Sequence, residues 1–545
     1  MSRDPNALRR VGLVLLVACA CTLLAHEAGA AGVISSVDVP APGLLGAKIG
    51  LGLAALMLLV SVWGKPYLWV NTTYFAEGFP YSIINNLGEV LFTEVGASLR
   101  MIGLTSIFHL PWNLKFLWGP FVDEYETKRK WLLGTEVVLT GLLLVLALLS
   151  NTSGLLIAIS GVMLLAAFVS ATHDAAVDGF YMEGLDEPSQ AKFVGYRAAA
   201  YRASTVLVLG VFLVLAGRAG WLVTFGVAAV IMLGLTVLHS IALPRVEKRG
   251  RDARELLRLL VRPRVITVGV VGILAIVVWR MGNVDLGVAE ALAPIPVLGK
   301  LPVGGWIGVI FVTLLGIVLA RLATVKRWLG QRDSSYARAF VHFLDQPKIV
   351  PALVFVLLFR TGESFLMKMR HPFLRREVEM SLEQIGFING MAGWIFAIAG
   401  TIIGGHLINK HGLRRWIWPF VLMQNVPNLC YAWVAGFADP ASASVPLMAG
   451  VVSIEHLGSG LGTSVFMVYT LRCCDPRHKA ANMAIVTSIM SLGYALAGAV
   501  SGDLATSMGF PRYFTLTFFV TIPSMALLFF IPHLDGREKN PTHAS

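Results

Sequence analysis

Three side chains that can bind or release a proton lie close together near the end of a long apolar stretch. His173, Asp174 and Asp178 belong to the segment SATHDAAVDGF, residues 170–180. Helical residues four positions apart share one face, so the two carboxyl groups would lie one turn apart. Such a face can bind a proton, pair with a cation or hold a polar ligand. Because ionisable groups inside an apolar span are costly, the pattern indicates a functional site.

The composition indicates that these residues belong to a membrane protein. Of 545 residues, 56% are hydrophobic and 14% are charged, and the mean hydropathy is +0.72. Soluble domains carry about 25% charged residues. Apolar stretches of about 20 residues recur along the chain, which predicts an all-α polytopic membrane protein in which each span satisfies its own backbone hydrogen bonds. The net charge of +12 does not indicate a nucleic-acid partner, because the basic residues gather in short connecting segments.

The apolar stretches define a series of spans and their orientation. The predicted spans are 67–94, 99–122, 131–150, 154–183, 190–216, 220–242, 264–281, 303–323, 348–374, 382–408, 415–436, 445–472, 480–506 and 511–532. The basic connections are 128–130, 245–264, 409–415, 472–479 and the tail 534–545. All of them fall on one side when the spans are counted in order. The positive-inside rule therefore places these connections in the cytoplasm.

The first 64 residues form an N-terminal extension with two open interpretations. A charged start, an apolar run and small residues after it fit a signal peptide, and LVAC at 16–19 also fits a lipoprotein-type cleavage site. The apolar segments 11–31 and 44–63 fit two additional spans equally well. Whether the first 45 residues are removed stays open.

An internal repeat divides the main body into two halves. SLRMIG at 98–103 returns as SLEQIG at 381–386, and DEP ending at Pro188 returns as CDP ending at Pro476. The repeat predicts a six-helix half over 65–243 and another over 347–533. Residues 244–346 would be a cytoplasmic linker with an inserted two-helix hairpin. Secondary transporters are often built from duplicated units that bind substrate between them, near the middle of the membrane.

A shared loop motif resembles a signature of the major facilitator superfamily. The second copy has the pattern Gly-x3-Asn-x2-Gly-x-Arg-Arg, and the first copy keeps a glycine, an acid and basic residues but lacks the second glycine. The glycines would allow tight helix ends and close packing, and the acid or amide would cap a neighbouring helix. These structural or gating candidates are Gly119, Asp123, Arg129, Gly405, Asn409, Gly412, Arg414 and Arg415.

Longer motifs resemble the AmpG-like permeases of the peptide–acetyl-CoA–drug transporter group within that superfamily. They are YFAEGFPYSI (74–83), LPWNLKFLWGPFVDEYETKRKW (110–131), SATHDAAVDGFYMEGL (170–185), FRTGESFLMKMRHPFL (359–374) and IEHLGSGLGTSVFMVY (454–469). The resemblance implies proton-driven uptake of anhydromuropeptides, the fragments of peptidoglycan turnover, across the bacterial inner membrane. The same group includes siderophore importers and acyl-CoA carriers, so another anionic cargo and a drug efflux pump of the same fold remain alternatives.

In this fold, the first span of each three-helix unit lines the central cavity. The candidate proton-binding and substrate-binding residues on those spans are Glu77, His173, Asp174, Asp178, Arg360, Glu363, Glu455 and His456. Glu77, Arg360 and Glu455 would lie near the bilayer midplane, where a charge faces a cavity or a partner. Arg360 could clamp a ligand carboxylate with its planar fork of donors, or it could simply neutralise Glu363.

Salt bridges between neighbouring spans are the structural alternative. The helices on either side of the turn at 187–188 would bring Asp178 opposite Arg197 and Asp174 beside Arg202. Lys115 is expected to extend to the cytoplasmic interface. Lys368 and Arg370 are expected near the outer end of their span, where they could attract an anion or anchor the helix.

Enzyme functions find little support in the sequence. We find no Gly-rich phosphate loop with lysine, no HExxH pair and no Cys/His cluster, so neither ATP drive, a metal nor another cofactor is expected. The longest hydrophilic segments are too short for the signalling domain of a sensor. The sequence therefore predicts a monomeric, proton-coupled importer of an anionic sugar–peptide fragment, with the proton on Glu77, Asp174, Asp178 or Glu455.

Overall fold

The computed structural model describes two long regions of the chain. These are residues 66–245 and 341–535, except 116–117, 151–153, 342, 347, 475–478 and 533, together with residues 251, 252, 255, 313, 317, 321, 324 and 327. The predicted N-terminal extension, most of the tail and almost all of the predicted hairpin lie outside the described residues.

The described part of the chain is helical, without a β-strand, and its first half forms six helical rods. The rod α1 comprises Pro66–Ser82, a π-helical turn Ile83–Leu87 and Gly88–Glu94, and α2 comprises Leu99–Leu104, the 3-10 turn Thr105–His109, Leu110–Leu114 and Gly119–Glu124. Lys128–Leu149 is α3 and Leu156–Gly184 is α4. Glu187–Val206 and the π-helical turn Leu207–Phe212 lead into Leu213–Ala242, which bends at Gly220. We name the rod before this bend α5 and the rod after it α6.

The second half repeats the pattern with six more rods among the described residues. They are α7 (Ile349–Phe359 and Thr361–Arg376), α8 (Leu382–Ile385, the π-helical turn Gly386–Ala392 and Gly393–His411), α9 (Leu413–Asn425 and Asn428–Ala435) and α10 (Val445–Cys473). Lys479–Phe519 bends at Gly509 into α11 and α12, and α12 ends with Ile522–Leu527. This all-α arrangement of two six-helix sets is the one predicted from the sequence.

Six helices of the described regions are long and apolar enough to cross a membrane. They are Lys128–Leu149, Leu156–Gly184, Lys192–Ala242, Ile349–Arg376, Leu382–His411 and Val445–Cys473. Large apolar side chains such as Ile157 and Phe529 stay exposed on the outside of the fold. Exposed apolar surface of this kind matches a lipid solvent.

The repeated motif SLxxIG begins one rod in each half. The hydroxyl of Ser98 accepts a hydrogen bond from the Met101 amide at the start of α2. The Ser381 hydroxyl accepts the corresponding bond from the Gln384 amide, and the side-chain oxygen of Gln384 accepts a bond from the Ser381 amide, which completes a capping box. The repeat is therefore a pair of helix N-caps, which satisfy otherwise unpaired amides.

Another N-cap starts α5 at the predicted turn. The Asp186 carboxylate accepts a hydrogen bond from the Ser189 amide, and Pro188 occupies the first turn. Hydrogen bonding by Ser189 lowers the pKa of Asp186 from its ordinary value. Because proline needs no amide partner in the first turn, this sequence fixes where α4 ends and α5 begins.

The two halves touch where glycines let the helices approach closely. A Cβ on Gly390 of α8 would lie 2.0 Å from the carbonyl oxygen of Leu209 in α5. A Cβ on Gly502 of α11 would lie 2.0 Å from the carbonyl oxygen of Leu99 in α2. Small residues at such crossings permit the backbone contacts on which helix association in lipid depends. The halves therefore join along α5–α8 and along α2–α11.

Candidate transport site

The first polar cluster lies inside the N-terminal half, where α1, α2 and α4 meet. Lys115 Nζ lies 2.5 Å from Asp174 Oδ2. The carboxyl groups of Glu77 and Asp174 are close enough to share a hydrogen bond if one is protonated. Both acids are buried, and one oxygen of Glu77 has no hydrogen-bond partner among the described residues. The position of Asp174 beside Arg202 and the interfacial position of Lys115, both expected from the sequence, are wrong: the lysine chain reaches across to α4.

Asp178 lies one helical turn from Asp174 and has different partners. Its Oδ1 accepts a hydrogen bond from the Tyr74 hydroxyl at 2.8 Å and another from Arg197 Nη2 at 3.1 Å. The Arg197 guanidinium also lies over the Tyr74 and Tyr181 rings, at 4.5 and 5.2 Å from their centroids. The pairing of Asp178 with Arg197, predicted from the turn at 187–188, is confirmed.

These five ionisable groups do not balance in charge. The cluster holds three carboxyl groups, on Glu77, Asp174 and Asp178, against two cations, on Lys115 and Arg197. One negative charge remains when all five groups are ionised. An uncompensated charge inside the membrane is expensive, and one bound proton would remove it. We call these five residues the acidic cluster.

A second cluster lies in the C-terminal half, around Glu363. Its carboxylate accepts two hydrogen bonds from Arg360, at 2.8 and 3.1 Å, and others from Ser459 at 2.6 Å and Gln424 at 3.2 Å. Arg360 Nη2 also donates to Thr463 Oγ1 at 2.9 Å. Arg360 thus neutralises Glu363 in this conformation, and its side chain is still 26% exposed.

Lys368 and Arg370 are buried ion-pair partners, so the expected role of attracting an anion or anchoring the helix is wrong, although both lie towards the outer end of the span as expected. Lys368 Nζ lies 3.0 Å from Glu89 Oε2 and donates to Thr105 Oγ1 at 2.7 Å, so it links α7 to the N-terminal half. Arg370 Nη1 donates to Glu455 Oε2 at 2.6 Å, inside the C-terminal half. Both side chains are at most 7% exposed.

His456 lies beside that pair. Its Nδ1 is 2.9 Å from both the Val452 carbonyl oxygen and Glu455 Oε2. Its ring also packs against Gly393 of α8, where a Cβ would lie 2.7 Å from Nε2. His456 is therefore packed between helices next to a paired acid, away from the acidic cluster.

Sequence reasoning missed a buried acid next to His173. Glu136 Oε1 lies 2.6 Å from His239 Nδ1 and 3.4 Å from His173 Nε2, and all three side chains are fully buried. This group joins α3, α4 and α6 one residue from Asp174. A lone glutamate in the apolar span 131–150 was the available signal.

The loop-motif residues lie at the helix ends that the charge rule assigns to the cytoplasm. Asp123 pairs with Lys128 at 2.7 Å, and Arg129 donates to the Ser240 carbonyl oxygen at 2.6 Å. In the second copy, Arg414 pairs with Asp535.

The glycines of this motif serve two different needs. Gly412 has a φ of +85° where α8 passes into α9, so it makes the expected tight helix end. Within the described part of the chain, a Cβ on Gly119 or Gly405 would meet nothing within 4 Å, so the close packing expected at these two positions is not found there. Asn409 and Arg415 are exposed.

The opposite ends of the helices carry ion pairs between the halves. Arg375 of α7 makes two hydrogen bonds to the Glu94 carboxylate, at 2.7 and 3.2 Å. Arg100 of α2 pairs with Asp503 of α11 at 3.0 Å. Together with the glycine contacts of α2–α11 and the pair formed by Lys368, they close the two halves against each other at this end.

Comparisons with known proteins fit this architecture. The family model described as Major Facilitator Superfamily matches residues 352–544. A POT family transporter, solved in complex with a thioalcohol conjugated peptide, superimposes with a TM-score of 0.60 at 13% identity, over 84% of this chain and 95% of that chain. At 13% identity, the likeness to the POT family transporter shows the fold alone.

Two curated relatives align along most of the chain. A protein of Haemophilus influenzae is 25% identical over 486 residues, which are 86% of this chain and 95% of that protein. The Anhydromuropeptide permease of Escherichia coli K12 is 22% identical over 460 residues, which are 83% of this chain and 77% of that permease.

The fold, the polar clusters between apolar helices and the family match define a multi-pass membrane transporter, not an enzyme. The chain is similar to the AmpG-like permeases of the major facilitator superfamily, whose family model matches its C-terminal part.

Proposed function

We propose that this protein imports peptidoglycan-derived anhydromuropeptides across the bacterial inner membrane together with protons. The observation that carries the proton coupling is the acidic cluster, in which three carboxyl groups face two cations. The observation that carries the cargo is the likeness to the Anhydromuropeptide permease of Escherichia coli along most of the chain.

The proton binds between Glu77 and Asp174 in this proposal. Two neighbouring carboxylates repel each other, and a proton shared between them removes that repulsion. Lys115 keeps Asp174 ionised, so Glu77 is the group that accepts the proton. Asp178, which Tyr74 and Arg197 hold, has a supporting role.

Release of the proton changes the charge of the space between the halves. With the proton bound, the acidic cluster is neutral and the helices can move past one another at low cost. Without the proton, a net negative charge must stay in contact with water. This difference links the protonation of the cluster to the orientation of the transporter.

Uptake by proteoliposomes tests the proposal. The purified protein is reconstituted, and labelled GlcNAc-anhydroMurNAc-tripeptide is offered with an inward proton gradient or without one. A ferric siderophore in the same assay tests the other anionic cargo. We expect accumulation of the muropeptide only with the gradient. Accumulation of the siderophore alone would contradict the cargo assignment, and gradient-independent accumulation would contradict the proton coupling.

A further inference from the structure

Arg202 of α5 lies at the contact between the two halves, away from the acidic cluster. Its guanidinium is 5.8 Å from the ring centroid of Trp394 in α8. It also lies within electrostatic range of Arg360 in α7. Both Arg202 and Trp394 are partly exposed. Three helices from both halves therefore converge on this one cation.

Arg202 makes no ion pair and no hydrogen bond through its side chain within the described part of the chain. Arg360 does not relieve it, because Arg360 and Glu363 neutralise each other. The group formed by Arg202, Arg360, Glu363 and Trp394 thus keeps one positive charge. We call this group the interface cation site. A lone guanidinium in the membrane interior is costly, so it implies a partner that the protein itself does not supply.

The interface cation site lies next to the tight contact between the two halves. The tight α5–α8 contact is at Gly210 and Gly390. Arg202 and Trp394 lie between this glycine contact and the predicted cytoplasmic ends of α5 and α8. At ~1.5 Å per residue, Arg202 lies roughly 20 Å from the start of α5 at Glu187, near the middle of the bilayer. A ligand at this point would touch both halves.

We propose that Arg202 and Trp394 bind the cargo directly, with Arg202 contacting a carboxylate and Trp394 packing against the sugar or peptide next to it. The inference rests on the proposed function and adds the residues that recognise the anionic part of the cargo. A planar guanidinium can offer a carboxylate two parallel hydrogen bonds, and an aromatic face provides apolar contact on one side.

The first test varies the protein and the ligand together. Apparent affinity in proteoliposomes is measured for the labelled anhydromuropeptide and for the same molecule with its peptide carboxylates converted to amides. We expect Arg202→Gln to weaken binding of the acid about 10- to 100-fold and to leave the amide unchanged, since only the acid has the charge that Arg202 recognises. The exposed Arg512→Gln is the matched control and should match the wild type. Equal losses for acid and amide, or no loss for either, would overturn the proposal.

The second test does not depend on the cargo. In a background without native cysteines, Trp394→Cys is allowed to react with an anionic and with a cationic thiosulfonate of similar size. The anionic reagent should react faster, and Arg202→Gln should lower the anionic-to-cationic rate ratio about tenfold. An unchanged ratio would overturn the site even if the wild type imports muropeptides. If the wild type imports none, the proposed function fails, and this ratio still decides whether an anion site exists.

Discussion

Lys115 of α2 and Asp174 of α4 form an ion pair, with 2.5 Å between Nζ and Oδ2, beside the carboxyl group of Glu77. Lys115 neutralises Asp174, and Arg197 neutralises Asp178. Glu77 is therefore the one acid of the acidic cluster that has no cation of its own within the cluster. The account of proton coupling depends on this arrangement, and so do the first two predictions.

Replacing Glu77 should separate transport from the proton. In Glu77→Gln the cluster keeps two acids and two cations, so it is neutral without a bound proton. We expect the variant to exchange labelled for unlabelled cargo but to lose accumulation driven by a proton gradient. Counterflow and gradient-driven uptake, measured on one reconstituted sample, check this. Gradient-driven accumulation at the wild-type level would contradict the role of Glu77.

Removing Lys115 should destabilise the protein through an unpaired acid. Breaking a buried ion pair costs about 3–5 kcal/mol. The Lys115 side chain is 34% exposed, and solvent screening weakens the interaction. We therefore expect Lys115→Met to lower the free energy of unfolding by about 2 kcal/mol, which is less than for a fully buried pair. Adding Asp174→Asn should restore most of the lost thermal stability. A double variant that is less stable than Lys115→Met would show that the two residues do not act as a pair.

Arg360 and Glu363 should be coupled in stability. In the Arg360→Gln variant, Glu363 keeps only Ser459 and Gln424 as described donors and has no cation, so the thermal stability of the protein should fall. The double variant Arg360→Gln with Glu363→Gln should regain the lost stability. Since the pair carries no net charge, the double variant should bind the acidic cargo as tightly as the wild type. Thermal unfolding and the apparent affinity for cargo separate the two effects. A double variant with weaker affinity would contradict this expectation and show that Arg360 itself binds the ligand.

The pair formed by Arg375 and Glu94 should help to keep the predicted outer end closed. A partly exposed pair is worth about 0.2–1 kcal/mol, so Arg375→Gln should shift the equilibrium about 1.4- to fivefold towards opening. Ser106, buried between α2 and α11, reports on this opening. In a background without native cysteines, Ser106→Cys should react faster with an impermeant thiol reagent added outside when Arg375→Gln is present. Arg512→Gln should have no such effect, and equal rates with Arg375→Gln would contradict the gate.

The helical architecture was predictable, because it depends on patterns that leave few solutions. Apolar stretches of membrane length and basic connections on one side predict the class of fold. SLxxIG recurs because Ser98 and Ser381 cap equivalent helices. The turn at Pro188 joins α4 to α5, so counting residues from it predicts which positions of the two helices lie at the same depth in the membrane. This count is enough to pair Asp178 with Arg197.

The partners of the remaining charges were not predictable in this way. Counting from a turn gives depth along two helices but not the direction in which each side chain points. Asp174 faces Lys115 instead of Arg202 for this reason. Arg370 meets Glu455 from a helix that is distant in sequence, and nothing in the local pattern indicates that contact. The interface cation site likewise depends on how the two halves meet.

Gradient-driven uptake by Asp174→Asn tests the central claim most directly. Labelled anhydromuropeptide uptake is measured with an inward proton gradient and as counterflow for the wild type, for Asp174→Asn and for Glu183→Gln, which changes an exposed acid on the same helix. We predict that Asp174→Asn no longer accumulates cargo above the external concentration but keeps counterflow, whereas Glu183→Gln behaves like the wild type. Accumulation by Asp174→Asn at the wild-type level would contradict the assignment of proton coupling to the acidic cluster.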